Sequence, residues 1–277
     1  MNRFIRDFEL IIGLERSAQA VIVRPPFRVS FSGDKSIGGA LNKLNLKVYN
    51  LKESTRLQIQ KLEADNTYIP IQFSVGYKGA LEPLFKGNVY KAEVIREGAD
   101  FYNQVECLDG GFDFLNSFTS RTVTKKDEAI VEILQDMPNT SAGKITQQPN
   151  LVRPKVLVGN SVQLINDMLN EGESWFIEDE QLYILKDDEV IRSFIPVVNA
   201  QTGLLNTPIA DPETVTFETL MNPSLKIGGL CELQSKTAPF LNGVYKTEVI
   251  TYTGDSDGDD WLQQVTARKE PNVKVLS

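Results

Sequence analysis

The 277-residue sequence contains no histidine and only two cysteines, and both shortages narrow its chemistry. Without histidine the chain lacks the usual general base, the commonest zinc ligand and the side chain that switches charge near neutral pH. Cys107 and Cys231 are too few for a disulfide framework and show no metal-type spacing, so both read as buried thiols. No apolar run approaches the roughly 18 residues that span a bilayer. Arg6, Asp7 and Glu9 stand where a secretory signal needs unbroken apolar residues, so synthesis in a cytoplasm is expected. Asn139-Thr140-Ser141, a glycosylation acceptor by pattern, then reads as a polar loop. Basic residues form no run or aromatic-interleaved patch, and 37 acidic against 29 basic residues leave a net charge of −8. A protein built to grip nucleic acid usually carries the opposite balance.

Motifs for catalysis are equally sparse. Gly38-Gly39 and Gly228-Gly229 lack the flanking residues of a phosphate-cradling loop and read as turns or bulges. The segment Asp255-Ser-Asp-Gly-Asp-Asp260 alternates carboxylates as a calcium loop does. It departs from an EF-hand at the sixth position, Asp260, and the twelfth, Thr266, so a solvated hairpin loop is expected and no metal site. Glu171, Glu173, Glu178 and Asp179 lie near Trp175, but neighbouring acids are not a carboxylate pair held across a cleft. No catalytic, cofactor-binding or metal-binding residue is predicted.

What the chain does contain is a duplication. Val89-Tyr-Lys-Ala-Glu-Val-Ile95 returns as Val244-Tyr-Lys-Thr-Glu-Val-Ile250, identical at six of seven positions and preceded in each copy by a phenylalanine and a Gly/Asn pair. Gln104-Val105 answers Gln264-Val265 downstream, so both copies read as β-hairpins, the second with the longer, acidic connector. Alternation places Tyr90, Ala92 and their counterparts Tyr245 and Thr247 on a core face. Lys91 and Glu93, or Lys246 and Glu248, fall on a face that is either solvated or in contact with another subunit. Candidate interface residues are therefore Lys91, Glu93, Lys246, Glu248, Asp255, Asp257 and Trp175.

Short strand-like runs surround the hairpins: Leu10 to Ile12, Ala20 to Val23, Phe27 to Phe31, Leu44 to Asn50, Thr55 to Gln60 and Ile69 to Val75. Val215 to Leu220, Leu225 to Ile227 and Leu230 to Gln234 follow in the last part. Gly38 to Asn42 fits one turn of helix. The middle has a different period: Ile130, Ile133, Leu134 and Met137 mark an amphipathic helix over 125–137, with Thr124 as N-cap and Asp127 three residues on. A second helix from Ser161 to Asn170 and a hairpin, Trp175 to Ile177 and Leu182 to Leu185, complete an α/β insert. The expected fold is mainly β, with two related antiparallel β-barrels at 1–118 and 206–277 flanking a small α/β domain at 119–205.

The stretch from Leu220 to Leu233, then Asn242-Gly-Val-Tyr-Lys246, Thr253-Gly-Asp255 and Asp260-Trp261, resembles the C-terminal barrel of baseplate hub proteins from contractile-tailed phages. Glu173 to Asp179 through Leu182 to Leu185 is similar to the helix-plus-hairpin domain of the same proteins. The resemblance covers residues 120 to 270, and the repeat extends it to 85–108. It implies two tail-tube-like barrels in tandem and a homotrimer that offers six similar positions to a six-fold tube and a three-fold spike. Implied partners are the tail tube or tube initiator, the central spike, the tape-measure protein and the baseplate wedge, in a virion baseplate. DNA would pass in transit through an acidic lumen, three chains together carrying −24. The hub of a tailocin or another contractile injection system is an alternative, and a carbohydrate-binding or hydrolytic cell-envelope module is one from a different class.

Overall fold

The computed structural model describes residues 5–13, 20–63, 68–147, 153–191, 194–269 and 274–275. In the first half, β1 (Arg6–Ile12), β2 (Val21–Val23), β3 (Val29–Ser36) and β4 (Lys43–Tyr49) precede α1 (Glu53–Glu63). Then come β5 (Pro70–Tyr77), β6 (Ala80–Glu97), β7 (Asp100–Leu108) and α2 (Gly111–Asn116). The strands form because apolar residues recur at every second position. Leu44, Leu46 and Val48 of β4 are buried while Lys43, Asn45 and Lys47 between them are exposed.

The insert comprises β8 (Phe118–Val123), α3 (Lys126–Gln135), β9 (Ser141–Ile145), β10 (Lys155–Asn160), α4 (Ser161–Asn166), β11 (Glu173–Glu178), β12 (Gln181–Lys186) and β13 (Glu189–Val190). The second half follows with β14 (Val197–Asn199), β15 (Ile209–Ala210), β16 (Thr214–Leu220), β17 (Leu230–Gln234), β18 (Gly243–Asp255), β19 (Trp261–Lys269) and β20 (Lys274–Val275). The insert has its own apolar core, built on Ile130, Ile133, Met137, Leu157, Ile165, Trp175 and Leu182.

The duplication extends well beyond the repeated heptapeptide. Five strands in the first half run β3-β4-β7-β6-β5, and five in the second run β15-β16-β19-β18-β17, the same order of counterparts. The two five-strand modules are not separate. β18 pairs with β3 over seven residues, from Val249 opposite Ser36 to Asp255 opposite Ser30, so one 13-stranded sheet passes through both. A single apolar core follows it, from Phe8 and Phe31 to Tyr252 and Trp261. Among the described residues the sheet is mainly antiparallel and no barrel closes: β15 and β2, at the ends of the strand path, each have one neighbour.

Several local expectations change in three dimensions. Thr55 to Gln60 is part of helix α1, not a strand. The alternation of Leu57 and Ile59 is incidental there, since Ile59 is buried and Leu57 exposed, and Arg, Leu, Gln and Lys all favour helix. Gly38 to Asn42 is a bend, and Leu225 to Ile227 a loop between β16 and β17. The N-cap of α3 is Lys125, while the Thr124 hydroxyl donates to Glu128; the side chain of Asp127 lies outside the described residues. Gln104-Val105 and Gln264-Val265 are not in equivalent register either, for Val105 faces Ala92 whereas Val265 faces Ile250.

The two copies also bulge at different residues. β6 carries its extra residue at Tyr90, between the pairs of Val89 and Lys91, whereas β18 carries it at Glu248. Tyr90 is thereby turned outward at 53% exposure, and the expectation of a core face there fails. Tyr245 keeps its place inside at 4%, its hydroxyl donating to the Leu241 carbonyl at 2.7 Å. Tyr90→Asp is accordingly expected to change stability by less than about 0.5 kcal/mol, and Tyr245→Phe to lose about 1 kcal/mol. Urea unfolding of the two variants checks both, and a cooperative loss in Tyr90→Asp would return that tyrosine to the core.

Candidate functional site

The insert is fastened where the two modules meet. The β11–β12 turn brings Glu178, Asp179 and Glu180 against Lys35 of β3, Asp109 beyond β7 and Lys226 of the β16–β17 loop. Lys35 Nζ lies 2.8 Å from Glu178 Oε1, and Lys226 Nζ lies 3.3 Å from the same oxygen and 3.1 Å from Asp179 Oδ2. Lys226 also donates to the Pro83 carbonyl at 3.0 Å. Asp109 accepts the backbone N–H groups of Asp179 and Glu180, each at 2.7 Å. Asn42 donates to the Ile177 carbonyl, and the N–H groups of Gly38 and Gly39 donate to that of Trp175. Around this polar knot, Lys86 pairs with Glu180 at 2.9 Å and the Tyr68 hydroxyl donates to the same carboxylate.

Burial governs how these groups titrate. Desolvation acts to lower Lys35, but Glu178, Asp179 and Asp109 outweigh it and hold the ammonium above its ordinary value. Desolvation raises the Asp109 carboxyl to about 7, with Lys35 working against it, and raises Glu180 to about 7 as well. Both folded values exceed the ordinary carboxylate range, so the folded chain retains protons that the unfolded chain releases. The stability these two groups contribute is present at low pH and falls as pH rises from about 4 to about 7. The carboxyl carbon of Asp109, followed by NMR, is expected to titrate near 7; a midpoint below about 4.5 would show that its two N–H donors dominate instead.

The residues singled out as interface candidates scatter. Lys91 and Glu93 share one face and pair with each other at 3.0 Å, partly exposed. Lys246 is buried: its Nζ donates to the carbonyls of Lys186 and Asp187, fastening the insert to β18. Glu248 pairs with Arg268 at 2.7 Å. Trp175 is 2% exposed inside the insert, its indole N–H donating to Asn166 at 2.6 Å. Neither Lys246 nor Trp175 offers a surface to a neighbouring subunit, because the insert covers Lys246 and holds Trp175 within its own core.

The acidic loop is tied down within the chain. Arg28 holds the Asp255 carboxylate at 2.7 Å, and Arg6 donates to the carbonyls of Asp255, Gly258 and Asp259. Partial burial works to raise the Asp255 carboxyl, but Arg28 and the N–H groups of Asp257 and Gly258 hold it below its ordinary value. A guanidinium thus occupies the centre of the loop where a calcium reading would place an ion. Asp257 lies at its exposed edge.

The comparisons place this architecture. The chain resembles the tail protein from Neisseria meningitidis MC58 (9% identity, TM-score 0.66, 96% of this chain and 97% of that one). It is similar as well to the 43 kDa tail protein of prophage MuSo2 from Shewanella oneidensis (8% identity, TM-score 0.63, 96% and 99%). A third solved structure is the E. coli c3393 protein, a component of the type VI secretion system (9% identity, TM-score 0.65, 96% and 79%). At such identities the likeness is one of fold. No curated protein matches the sequence. The family of baseplate hub gp41 matches residues 10–267, nearly the whole of the two-module sheet and its insert. The chain belongs to the baseplate hub gp41 family and has a structural role in a phage baseplate.

Proposed function

We propose that the chain is a non-enzymatic baseplate hub subunit that assembles as a homotrimer, each copy supplying two tube-like modules to a ring of six. The observation that carries this reading is the pair of five-strand modules in one chain, equal in strand order and joined edge to edge by β18 and β3. Two similar but unequal modules per chain reconcile six-fold and three-fold neighbours, a tail tube above and a spike below. In this reading residues 1–118 and 206–277 act as the two barrel-like units and 119–205 as the insert. The tape-measure protein and the baseplate wedge are further partners in a virion baseplate.

The sheet face opposite the core suits passage of DNA. Short polar side chains dominate it, with Ser30 and Ser32 on β3, Asn45 on β4, Thr251 on β18 and Gln264 on β19. Its charges are mixed, since Asp34 lies opposite Lys43, and Glu106 of β7, opposite Asn45, shares the face with Lys47. A neutralised polar wall neither grips phosphates nor repels them strongly, which refines the acidic lumen expected from net charge alone.

Light scattering of the purified chain over a concentration series, alone and with its co-expressed genomic neighbours, tests the assembly. A mass near three chains, alone or only with a spike-like neighbour, is expected. A persistent monomer that binds cell-wall glycans would replace the hub by an envelope-binding module.

A further inference from the structure

The turn of the β11–β12 hairpin holds a conformation that its sequence does not favour. Glu178 pairs with Gln181, so Asp179 and Glu180 alone make the turn, and both take left-handed backbone angles, φ 54° and φ 62°. Such a turn ordinarily recruits Asn-Gly or Asp-Gly, because a side chain in that region meets its own backbone. Here Asp109 supplies the compensation from outside the insert, its carboxyl accepting the N–H groups of both turn residues. A strained turn of this kind persists only while its surroundings hold it.

The same turn bridges the two modules. Its carboxylates reach Lys35 and Lys86 in the first module and Lys226 in the second. Asp109 is faced by Lys35 of β3, by Glu178 and Asp179 of the insert and by Tyr252 of β18. Glu180 is faced by Lys86 of β6 and by the hydroxyl of Tyr68, which precedes β5. With Asp109 and Glu180 protonated, the ammonium groups of Lys35 and Lys226 match the carboxylates of Glu178 and Asp179. Ionisation of both adds two negative charges, and only Lys86, its side chain 48% exposed, stands ready to meet them. Glu178 Oε2 is buried and, among the described residues, has no hydrogen-bond partner, so charge arriving beside it finds no donor there.

We propose that this turn is a proton-operated latch: it clamps the insert across the joint between the modules while Asp109 and Glu180 carry protons, and it lifts from Lys35 and Lys226 when both ionise. The insert has its own apolar core and moves as a body at this end. Phe176 and Leu185 of the same hairpin stay in the core of the sheet and form the hinge. The sign follows from burial, which raises both carboxyls to about 7 in the closed state, whereas exposed carboxyls titrate near 4. The closed latch retains protons that the open one releases, so closure weakens as pH rises from about 4 through about 7 and is weakest above that.

Gly38 and Gly39 report the state of the latch, since their N–H groups donate across the contact to the Trp175 carbonyl. Hydrogen exchange of the full chain, read as protection factors to divide out the intrinsic effect of pH, is the test. These two amides should lose protection by roughly tenfold between about pH 5 and about pH 8, while Val265 and Ala267 of β19 keep theirs. Asp109→Asn/Glu180→Gln mimics the protonated pair and should hold the protection level over the same range. Glu180→Gln alone leaves the Asp109 cap in place and should give a shallower profile than the unaltered chain, so the test does not depend on the folding of the double variant. Level protection in the unaltered chain would overturn the latch. An equal loss at Val265 and Ala267 would do the same, because the change would then be global unfolding. A full pH profile retained in both variants would overturn the assignment to Asp109 and Glu180.

Discussion

Lys35→Met should lower the unfolding free energy by about 3 kcal/mol, the low end of the cost of breaking a buried ion pair from one side. Lys35 is almost wholly buried and is one of two ammonium groups on Glu178 Oε1. Its removal leaves Glu178 and Asp179 to Lys226 alone, with Asp109 close by. Methionine fills similar volume, so the loss measures uncompensated charge rather than a cavity. The double variant Lys35→Met/Glu178→Gln should recover much of the loss, because the stranded carboxylate is gone. Urea unfolding of the single and double variants checks this, and a single-variant loss under about 1 kcal/mol would mean that Lys226 alone neutralises the turn.

Gly33→Val is expected to cost about 3 kcal/mol by overpacking the β18–β3 joint. A Cβ on Gly33 would stand 2.2 Å from the Lys43 carbonyl oxygen and 2.6 Å from the Tyr252 hydroxyl. Tyr252 is the cross-strand neighbour of Gly33, and it donates to that same Lys43 carbonyl at 2.8 Å. Gly254 makes the matching space for Phe31, whose ring a Cβ there would approach to 2.3 Å. Each strand of the joint thus contributes one glycine and one large aromatic, and the aromatics fill what the glycines leave open. Backbone atoms must shift to admit valine, since a carbonyl cannot rotate away as a side-chain tip can. Hydrogen exchange should show Val249 to Asp255 losing protection ahead of β16 and β19. Unchanged protection would mean that the joint accommodates the extra volume.

Much of the fold is legible in the sequence because it rests on strict alternation. β4, β16 and the β11–β12 hairpin each bury every second residue or run apolar throughout, and their limits agree with the reading to within two or three positions. The duplication is legible from one heptapeptide. Which way its tyrosines face is not, since the bulge stands three positions later in the second copy without any matching change of composition: Tyr90 and Tyr245 share a sequence context and face opposite ways. The joint between modules is equally silent, because pairing across more than 200 residues leaves no local pattern. A faint signal for the polar knot did exist. Lys35 falls in phase with the inward-facing Val29 and Phe31, and a lysine at an inward position needs a buried partner. Nothing local points to Glu178 as that partner.

The pairing of β18 with β3 also has a consequence for biosynthesis. Some 213 positions separate Ser36 from Val249, its neighbour in the sheet. At a synthesis rate of roughly 5–20 residues per second, the ribosome takes on the order of 10–40 s to reach the strand that covers β3. Until then the nascent first half presents a seven-residue edge with Phe31 beside it, and every nearby polysome carries the same one. Folding of this chain is thereby a race between its own late arrival and pairing with a sibling, which cooler expression or a holding chaperone would shift toward the correct partner.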